Sequence, residues 1–389
     1  MAQDLLLSGC RIVAEGEDLP RGDLLLSGGK IRRIAPRIPA RGARVIPARG
    51  LTAAPGLIDT QINGGFGYSF SGGSADRAFE VGRRLVEHGV TAYLPTLVSL
   101  PHEETVRGIR SLAAMADRKG GARVLGIHLE GPFLSPRKKG AHQEKNLRLP
   151  DVEEFRSFHE AAEGRLRKIT LAPELPGAIE VVREAGRKGV IASAGHTVAT
   201  GPEFLRAVQA GLRHVTHVFN AMAPIHHRDS SILNAALLAD DVSCGFIYDR
   251  IHVSADAARL LLRSKPAGKA VLVSDAVAAL GQPDGDLAAD GEIYAVRDGG
   301  VTVKSTGAIA GSAASILRGV KCLVEDLKLS LREAVALASG APARLLGLGR
   351  RKGVLRPGAD ADVVLLDRRL DAAMTIVGGE LLHGNRHPA

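Results

Sequence analysis

Residues 167–197, RKITLAPELPGAIEVVREAGRKGVIASAGHT, read as a strand, a helix and a second strand. RKITLAPE (167–174) and VIASAGHT (190–197) are short aliphatic runs of the kind found in parallel strands buried on both faces. AIEVVREAGRKG (178–189) between them carries a helical pattern. The alternation continues outward. Upstream lie the candidate strands LTAAPGLIDTQIN (51–63), TAYLPTLVS (91–99) and RVLGIHLEG (123–131), with the helical ADRAFEVGRRLVEHG at 75–89. Downstream come HVTHVFNAM (214–222), CGFIYDRIHVS (244–254) and AVLVSDAV (270–277), with the helical ADAARLLLRS at 255–264. Eight strands with seven intervening helical segments predict an α/β fold, a (β/α)8 barrel of the TIM type over about 51–345. Two more helices are expected after the eighth strand, at 313–327 and 331–346. A doubly wound open sheet is the alternative, but no GxGxxG turn follows the first strand to support its dinucleotide-binding form.

The chain ends have a different texture. DLLLSGCRIV, DLLLSGG, KIRRIAP and ARVIPARG fill the first fifty residues with short strands and turns, and the last forty return to that style. Each piece is too small to bury a core, so the two are expected to pair into one small β-sandwich domain. The expected division is 1–54 and 348–389 for that domain, with the barrel at 55–347 inserted between.

Composition narrows the function. The 389 residues are 45% hydrophobic but only 3% aromatic and lack Trp, so packing rests on Val, Ile, Leu and Ala. Lys plus Arg number 51 against 42 Asp plus Glu, a net charge of +9 that suggests an anionic partner: nucleic acid, a phosphorylated metabolite or an acidic surface. Nucleic acid fits poorly, because the basic residues are dispersed and aromatic stacking platforms are scarce. No apolar stretch approaches the length of a membrane span, and Asp4 precedes the first Leu run where a signal peptide would be basic. Cys10, Cys244 and Cys322 are odd in number and scattered, as expected of free thiols in the cytoplasm.

In such a barrel the active site lies at the C-terminal ends of the strands, and the polar residues cluster there. Strand three ends in HLEGPF, with His128 and Glu130 on one face; strand five ends with His196. Strand six carries His214 and His217, followed by Asn220; strand seven leads to Asp249 and His252; strand eight ends with Asp275. A carboxylate and imidazoles at neighbouring strand tops form an N/O donor set that suits Zn²⁺ or Fe²⁺ with one position open to water.

PGLIDTQINGG (55–65), HLEGPFLSPRKKGAH (128–142), SAGHT (193–197), HVFNAM (217–222), SDAV (274–277), IAGSA (309–313) and LRPGADADVVLLD (355–367) together resemble the amidohydrolase superfamily. Within it they are similar to the deacetylases of amino-sugar phosphates. HLEGPF followed by KKGAH is the most specific part, whereas PGLID and the tail are shared widely. The resemblance implies one divalent metal per chain, Zn²⁺ or Fe²⁺, held by Glu130, His196 and His217. It implies Asp275 as the group that takes a proton from water and delivers it to the leaving amine, and His142 as a donor to the acetamide carbonyl. It also implies substrate contacts at Ala141, His142, Asn220, Ala221, Arg228, Asp249, His252, Ile309, Ala310, Gly311 and Ser312, with Arg228 reaching a neighbouring subunit's site in a homodimer.

Two departures qualify these expectations. Many amidohydrolases end strand one with His-x-His; here Gln61-Ile62-Asn63 stand there, and no lysine ends strand four in TLAPE to supply a carbamate. That argues for a single metal. In HHRDSSILNAA (226–236) and YDRIHV (248–253), Asp229-Ser230-Ser231 and Arg250 depart from the family pattern, so the phosphate loop is expected to differ and Arg250 could add a positive contact. His226 and His227 read as an exposed polar loop. The implied reaction is deacetylation of N-acetylglucosamine 6-phosphate. The alternatives are its galactosamine epimer, a cyclic amide, or a non-catalytic sugar-phosphate sensor.

Overall fold

The computed structural model describes residues 3–14 and 18–384. Its centre is a ring of parallel strands, Leu57–Ile62, Val90–Leu97, Ile127–Glu130, Leu166–Leu171, Ile191–Ala194, His214–Val215, Ser243–Phe246 and Ala270–Leu272, each paired with the next in chain order. These are barrel strands one to eight below. Strands one and two are buried at every residue, as their aliphatic runs require when helices cover the outside. Helix Ala178–Arg187 shows why the helices lie there. Ala178, Val181, Val182 and Ala185 are buried at helical spacing, with Arg183 and Arg187 on the water side.

Strand eight closes on strand one, which separates a barrel from an open sheet. Asp275 donates its N–H to the Gln61 carbonyl at 2.9 Å, and Asn63 donates to the Ala276 carbonyl at 2.7 Å. Below them the buried Asp59 carboxylate accepts the Ser274 hydroxyl at 2.5 Å and the Ser274 N–H at 3.3 Å. Burial pushes the Asp59 pKa up to about 7 even though Ser274 and Gln61 donate to the charged form. A raised folded pKa means that Asp59 favours folding while protonated. Its contribution is lost as pH rises from about 4 through about 7, by at most about 4 kcal/mol. Asp59→Asn keeps two acceptor–donor contacts without the charge. It is therefore expected to flatten the decline in stability over that pH window, as measured by denaturant unfolding.

The run 51–63 is two strands rather than one. Thr52–Pro55 belongs to the terminal sheet and Leu57–Ile62 to the barrel. The break is Gly56, where a Cβ would lie 2.2 Å from the Thr91 side chain and whose N–H reaches the Asp362 carbonyl. Both chain ends build one eight-stranded sheet, joined where Ala53–Pro55 pairs antiparallel with Val363–Leu365. Leu5–Ile12 splits its parallel edge between Arg44–Pro47 and Thr52–Pro55, and the sheet encloses its own core around Leu7, Ile12, Leu24, Val363, Leu365 and Ile376.

Two further differences from the sequence reading matter for the site. Strand six stops at Val215 instead of running to Met222, because His217, Phe219 and Ala221 take positive φ (28°, 81° and 51°) and leave the ladder. A four-stranded antiparallel sheet, Gly285–Ala289, Glu292–Arg297, Gly300–Val303 and Ile309–Ser312, follows strand eight before the expected helices. Those helices are Ile316–Leu327 and, broken at Ser339, Leu331–Ala338 and Gly340–Leu345. Among the described residues no helix is long and apolar enough to cross a membrane.

Candidate active site

Glu130 is the last residue of strand three, and His196 and His217 stand two residues beyond strands five and six. His217 Nε2 lies 2.9 Å from Glu130 Oε1 and 3.1 Å from His196 Nε2, and His196 Nε2 lies 3.3 Å from Glu130 Oε1. All three side chains are buried. His196 and Asp275 have left-handed backbones (φ 48° and 49°), a conformation that costs a non-glycine residue energy and turns each side chain inward from its strand end. His196 Nδ1 faces the Lys138 carbonyl at 2.9 Å, which fixes the proton there and leaves Nε2 with its lone pair toward Glu130. Gly140 admits this contact, since a Cβ would sit 3.1 Å from the His196 ring.

The electrostatics favour positive charge at this point. Burial opposes ionisation of Glu130, but the neighbouring imidazoles of His196 and His217 outweigh it and hold the carboxyl well below its usual range. Burial likewise opposes the charge on His217, yet Glu130 draws its pKa upward. His142, on the loop after strand three, accepts the Ser99 N–H at Nδ1 (3.3 Å). Its Nε2 therefore carries the proton. Burial pushes its pKa down to about 3, so it is a neutral donor. Glu130, His142 and His196 can each bring one ligand atom within 4.8 Å of the others. His217 Nε2, 2.9 and 3.1 Å from Glu130 Oε1 and His196 Nε2, offers a further ligand atom at the same point.

Asp275 Oδ1 accepts from Asn63 Nδ2 at 2.8 Å and from Gln61 Nε2 at 3.1 Å. Gln61 Nε2 also reaches Glu130 Oε1 at 3.0 Å, so one amide ties the two carboxylates together. Asp275 Oδ2 has no hydrogen bond among the described residues and is the open acceptor. Burial, then the Glu130 charge, raises the Asp275 pKa. Sequence reading valued Gln61 and Asn63 only for what they are not; their bonds to Asp275 had no sequence signal.

These groups border a cleft of about 910 Å³. Ala141 and His142 line it from one side, Asn220 and Ala221 from another, and His252 with Ile309, Ala310 and Gly311 from a third. Asp249 stands behind His252, its Oδ2 2.7 Å from His252 Nδ1. Against burial, His252 and backbone N–H groups draw the Asp249 pKa down to about 2. Ser312 is fully buried and accepts the Ala314 N–H rather than facing the cleft. Arg228 lies outside the cleft of its own chain, exposed beside His227 at 2.9 Å. Arg250 is not available as an extra phosphate contact, because its guanidinium is bound to Asp326 (2.7 and 2.8 Å) and Glu325 (2.7 Å). Strand four does hold a lysine, but below the site. Lys168 is fully buried among the barrel strands, its Nζ has no partner among the described residues, and burial pushes its pKa down to about 8.

The chain is 39% identical to N-acetylglucosamine-6-phosphate deacetylase from Bos taurus over 397 residues, covering 96% of this chain and 94% of that one. The crystal structure of N-acetylglucosamine-6-phosphate deacetylase from Pasteurella multocida superposes with a TM-score of 0.92 at 29% identity, over 98% of this chain and all of that one. A mutant of the Mycobacterium smegmatis N-acetyl-D-glucosamine-6-phosphate deacetylase in complex with N-acetyl-D-glucosamine-6-phosphate superposes at 0.90 with 32% identity, over 98% of this chain and 100% of that one. The family model described as the amidohydrolase family matches residues 52–382, which begin in the terminal sheet, take in the barrel and return to that sheet. With its strand-top carboxylate and imidazoles on a (β/α)8 barrel, the chain belongs to the amidohydrolase family.

Proposed function

We propose that this chain hydrolyses the acetamide of N-acetylglucosamine 6-phosphate, giving acetate and glucosamine 6-phosphate. The observation that carries the reading is the convergence of Glu130, His196 and His217 beneath the locked carboxylate of Asp275. The three donor atoms are 2.9–3.3 Å apart. That is close to the edge of a tetrahedron with metal–nitrogen bonds near 2.0–2.1 Å, about 3.3 Å. One carboxylate oxygen and two imidazole nitrogens fit one Zn²⁺ or Fe²⁺. When bound, the ion supplies Lewis acidity, which makes water a nucleophile at neutral pH and polarises the acetamide carbonyl.

The chain's own residues do the rest. Asp275 Oδ2 takes a proton from the attacking water as its oxygen bonds to the carbonyl carbon. His142 donates from Nε2 to the carbonyl oxygen, where negative charge builds. Asp275 returns the proton to the nitrogen as the C–N bond breaks, so the amine leaves neutral rather than as an anion. Gln61 and Asn63 hold Oδ1 throughout. His252, braced by Asp249, and the backbone of Asn220 and Ala221 face the sugar phosphate.

Arg228 is proposed to complete the phosphate site of a second copy in a homodimer, since in its own chain it is exposed and outside the cleft. The test is acetate release from N-acetylglucosamine 6-phosphate, its galactosamine epimer and the unphosphorylated sugar. Phosphate should lower KM strongly, and Arg228→Ala should raise KM for the phosphorylated sugar by about 10–100-fold, the loss expected on removing one partner of a charge pair. Mixing inactive Asp275→Asn chains with Arg228→Ala chains should restore one complete site per mixed dimer. Equal turnover of the phosphorylated and free sugars would overturn the phosphate assignment.

A further inference from the structure

The last strand of the inserted sheet, Ile309–Ser312, runs along the backbone of Asp275. Ser312 donates its N–H to the Asp275 carbonyl at 3.0 Å, and Val277 donates to the Ser312 carbonyl at 3.0 Å, forming a parallel bridge between Ala276 and Ser312. From the opposite side the Asp275 N–H reaches the Gln61 carbonyl at 2.9 Å. The left-handed φ of 49° at Asp275 is thus fixed at both its N–H and its carbonyl. Strained backbones of this kind persist where the surroundings over-determine them. Gly311 makes the approach possible. A Cβ there would lie 2.6 Å from the Asp275 carbonyl oxygen and 2.7 Å from Val277 Cγ1, on a backbone with φ 70°.

We infer that Gly311 is a positioning residue for Asp275, and that the inserted sheet serves as the seat of the acid–base group as well as a wall of the cleft. The inference rests on Asp275 being the general base. Barrel strand eight ends at Leu272, three residues before Asp275, so its own ladder does not reach the carboxylate. The 309–312 strand takes over from it. A methyl at Gly311 would push the Asp275 carbonyl away from Ser312 and carry Oδ2 with it. A misplacement of about 1 Å at a reacting group is enough to cost on the order of 10²-fold in rate. The metal donors Glu130, His196 and His217 belong to barrel strands three, five and six and the turns after them, whereas the atoms nearest a Cβ at Gly311 are those of Asp275 and Val277.

Gly311→Ala is therefore expected to lower kcat by about 10²-fold with KM changed less than about threefold, and to leave metal content unchanged. Combined with Asp275→Asn it should be no slower than Asp275→Asn alone, as expected when two substitutions disable one unit. Gly307→Ala is the control: its φ is also 70° but a Cβ there meets nothing within 4 Å, so it should retain wild-type kcat. If crowding against Val277 unfolds Gly311→Ala, the substitution is made in Val277→Ala, where the methyl still meets the Asp275 carbonyl, and compared with Val277→Ala alone. A wild-type kcat in the folded Gly311→Ala protein, or a change confined to KM, would overturn the inference. Full activity in Asp275→Asn would instead overturn the assignment of the base on which it rests.

Discussion

Asp275→Asn is expected to lower kcat by about 10³–10⁴-fold, the upper part of the range that positioned acid–base groups supply, while metal content and KM stay near wild type. The substitution is a sharp test because it preserves the surroundings. An amide at this position can still present an oxygen to Asn63 Nδ2 and Gln61 Nε2, which hold Oδ1 at 2.8 and 3.1 Å. What it loses is Oδ2, the one oxygen left open toward the cleft. An NH₂ group there cannot accept a proton from water, and it cannot deliver one to the departing nitrogen. The same carboxylate serves both steps, so one lost atom blocks both. The pH dependence follows in sign. Wild-type activity should fall on acidification as Asp275 gains a proton and ceases to be a base, whereas the residual activity of Asp275→Asn should lack that limb. A kcat within tenfold of wild type, in a protein that retains its metal, would remove Asp275 from the chemistry.

The sequence carried the barrel further than it carried the site. The strands were legible because their aliphatic runs must be buried on both faces, and the donor residues because they fall at strand ends. Strand lengths were not legible past those ends. HVTHVFNAM reads as one β-prone run, yet positive φ at His217, Phe219 and Ala221 turns the chain after two strand residues. Such conformations are set by tertiary contacts rather than by residue type. The inserted sheet was different, since its signal was present. Asp290-Gly291 and Asp298-Gly299 lie between alternating residues and adopt two successive positive φ values (52° and 74°; 49° and 80°), the turn that Asp-Gly favours in hairpins. A helix expected directly after strand eight leaves no room for it. Arg250 illustrates the opposite error. A guanidinium near a phosphate loop looked available, but its partners Glu325 and Asp326 are remote in sequence and only the fold brings them to it.

Chelation should abolish activity, and one equivalent of divalent metal per chain should restore it. Without a Lewis acid, water at the site is not acidified toward neutrality, a loss of about 10⁸-fold in available hydroxide at neutral pH. Residual turnover should therefore fall below detection even with Asp275 and His142 intact. The stoichiometry follows from Gln61 and Asn63. Their amide nitrogens donate to Glu130 and Asp275. Reversing either amide would set its oxygen against a carboxylate oxygen, so the orientation is fixed by charge. N–H groups thus occupy the directions from which imidazoles at these positions would offer lone pairs to a second ion. The carbonyl oxygens of both amides are buried without a hydrogen-bond partner, turned away from the two carboxylates. Titrating metal back into the stripped protein should raise activity to a plateau at one equivalent, and the melting temperature should rise with it. Binding at a hundredfold excess over Kd should add about 2.7 kcal/mol to stability. Activity that continued to climb with a second equivalent would mean that Gln61 and Asn63 yield to a second ion, and the single-metal reading would fall.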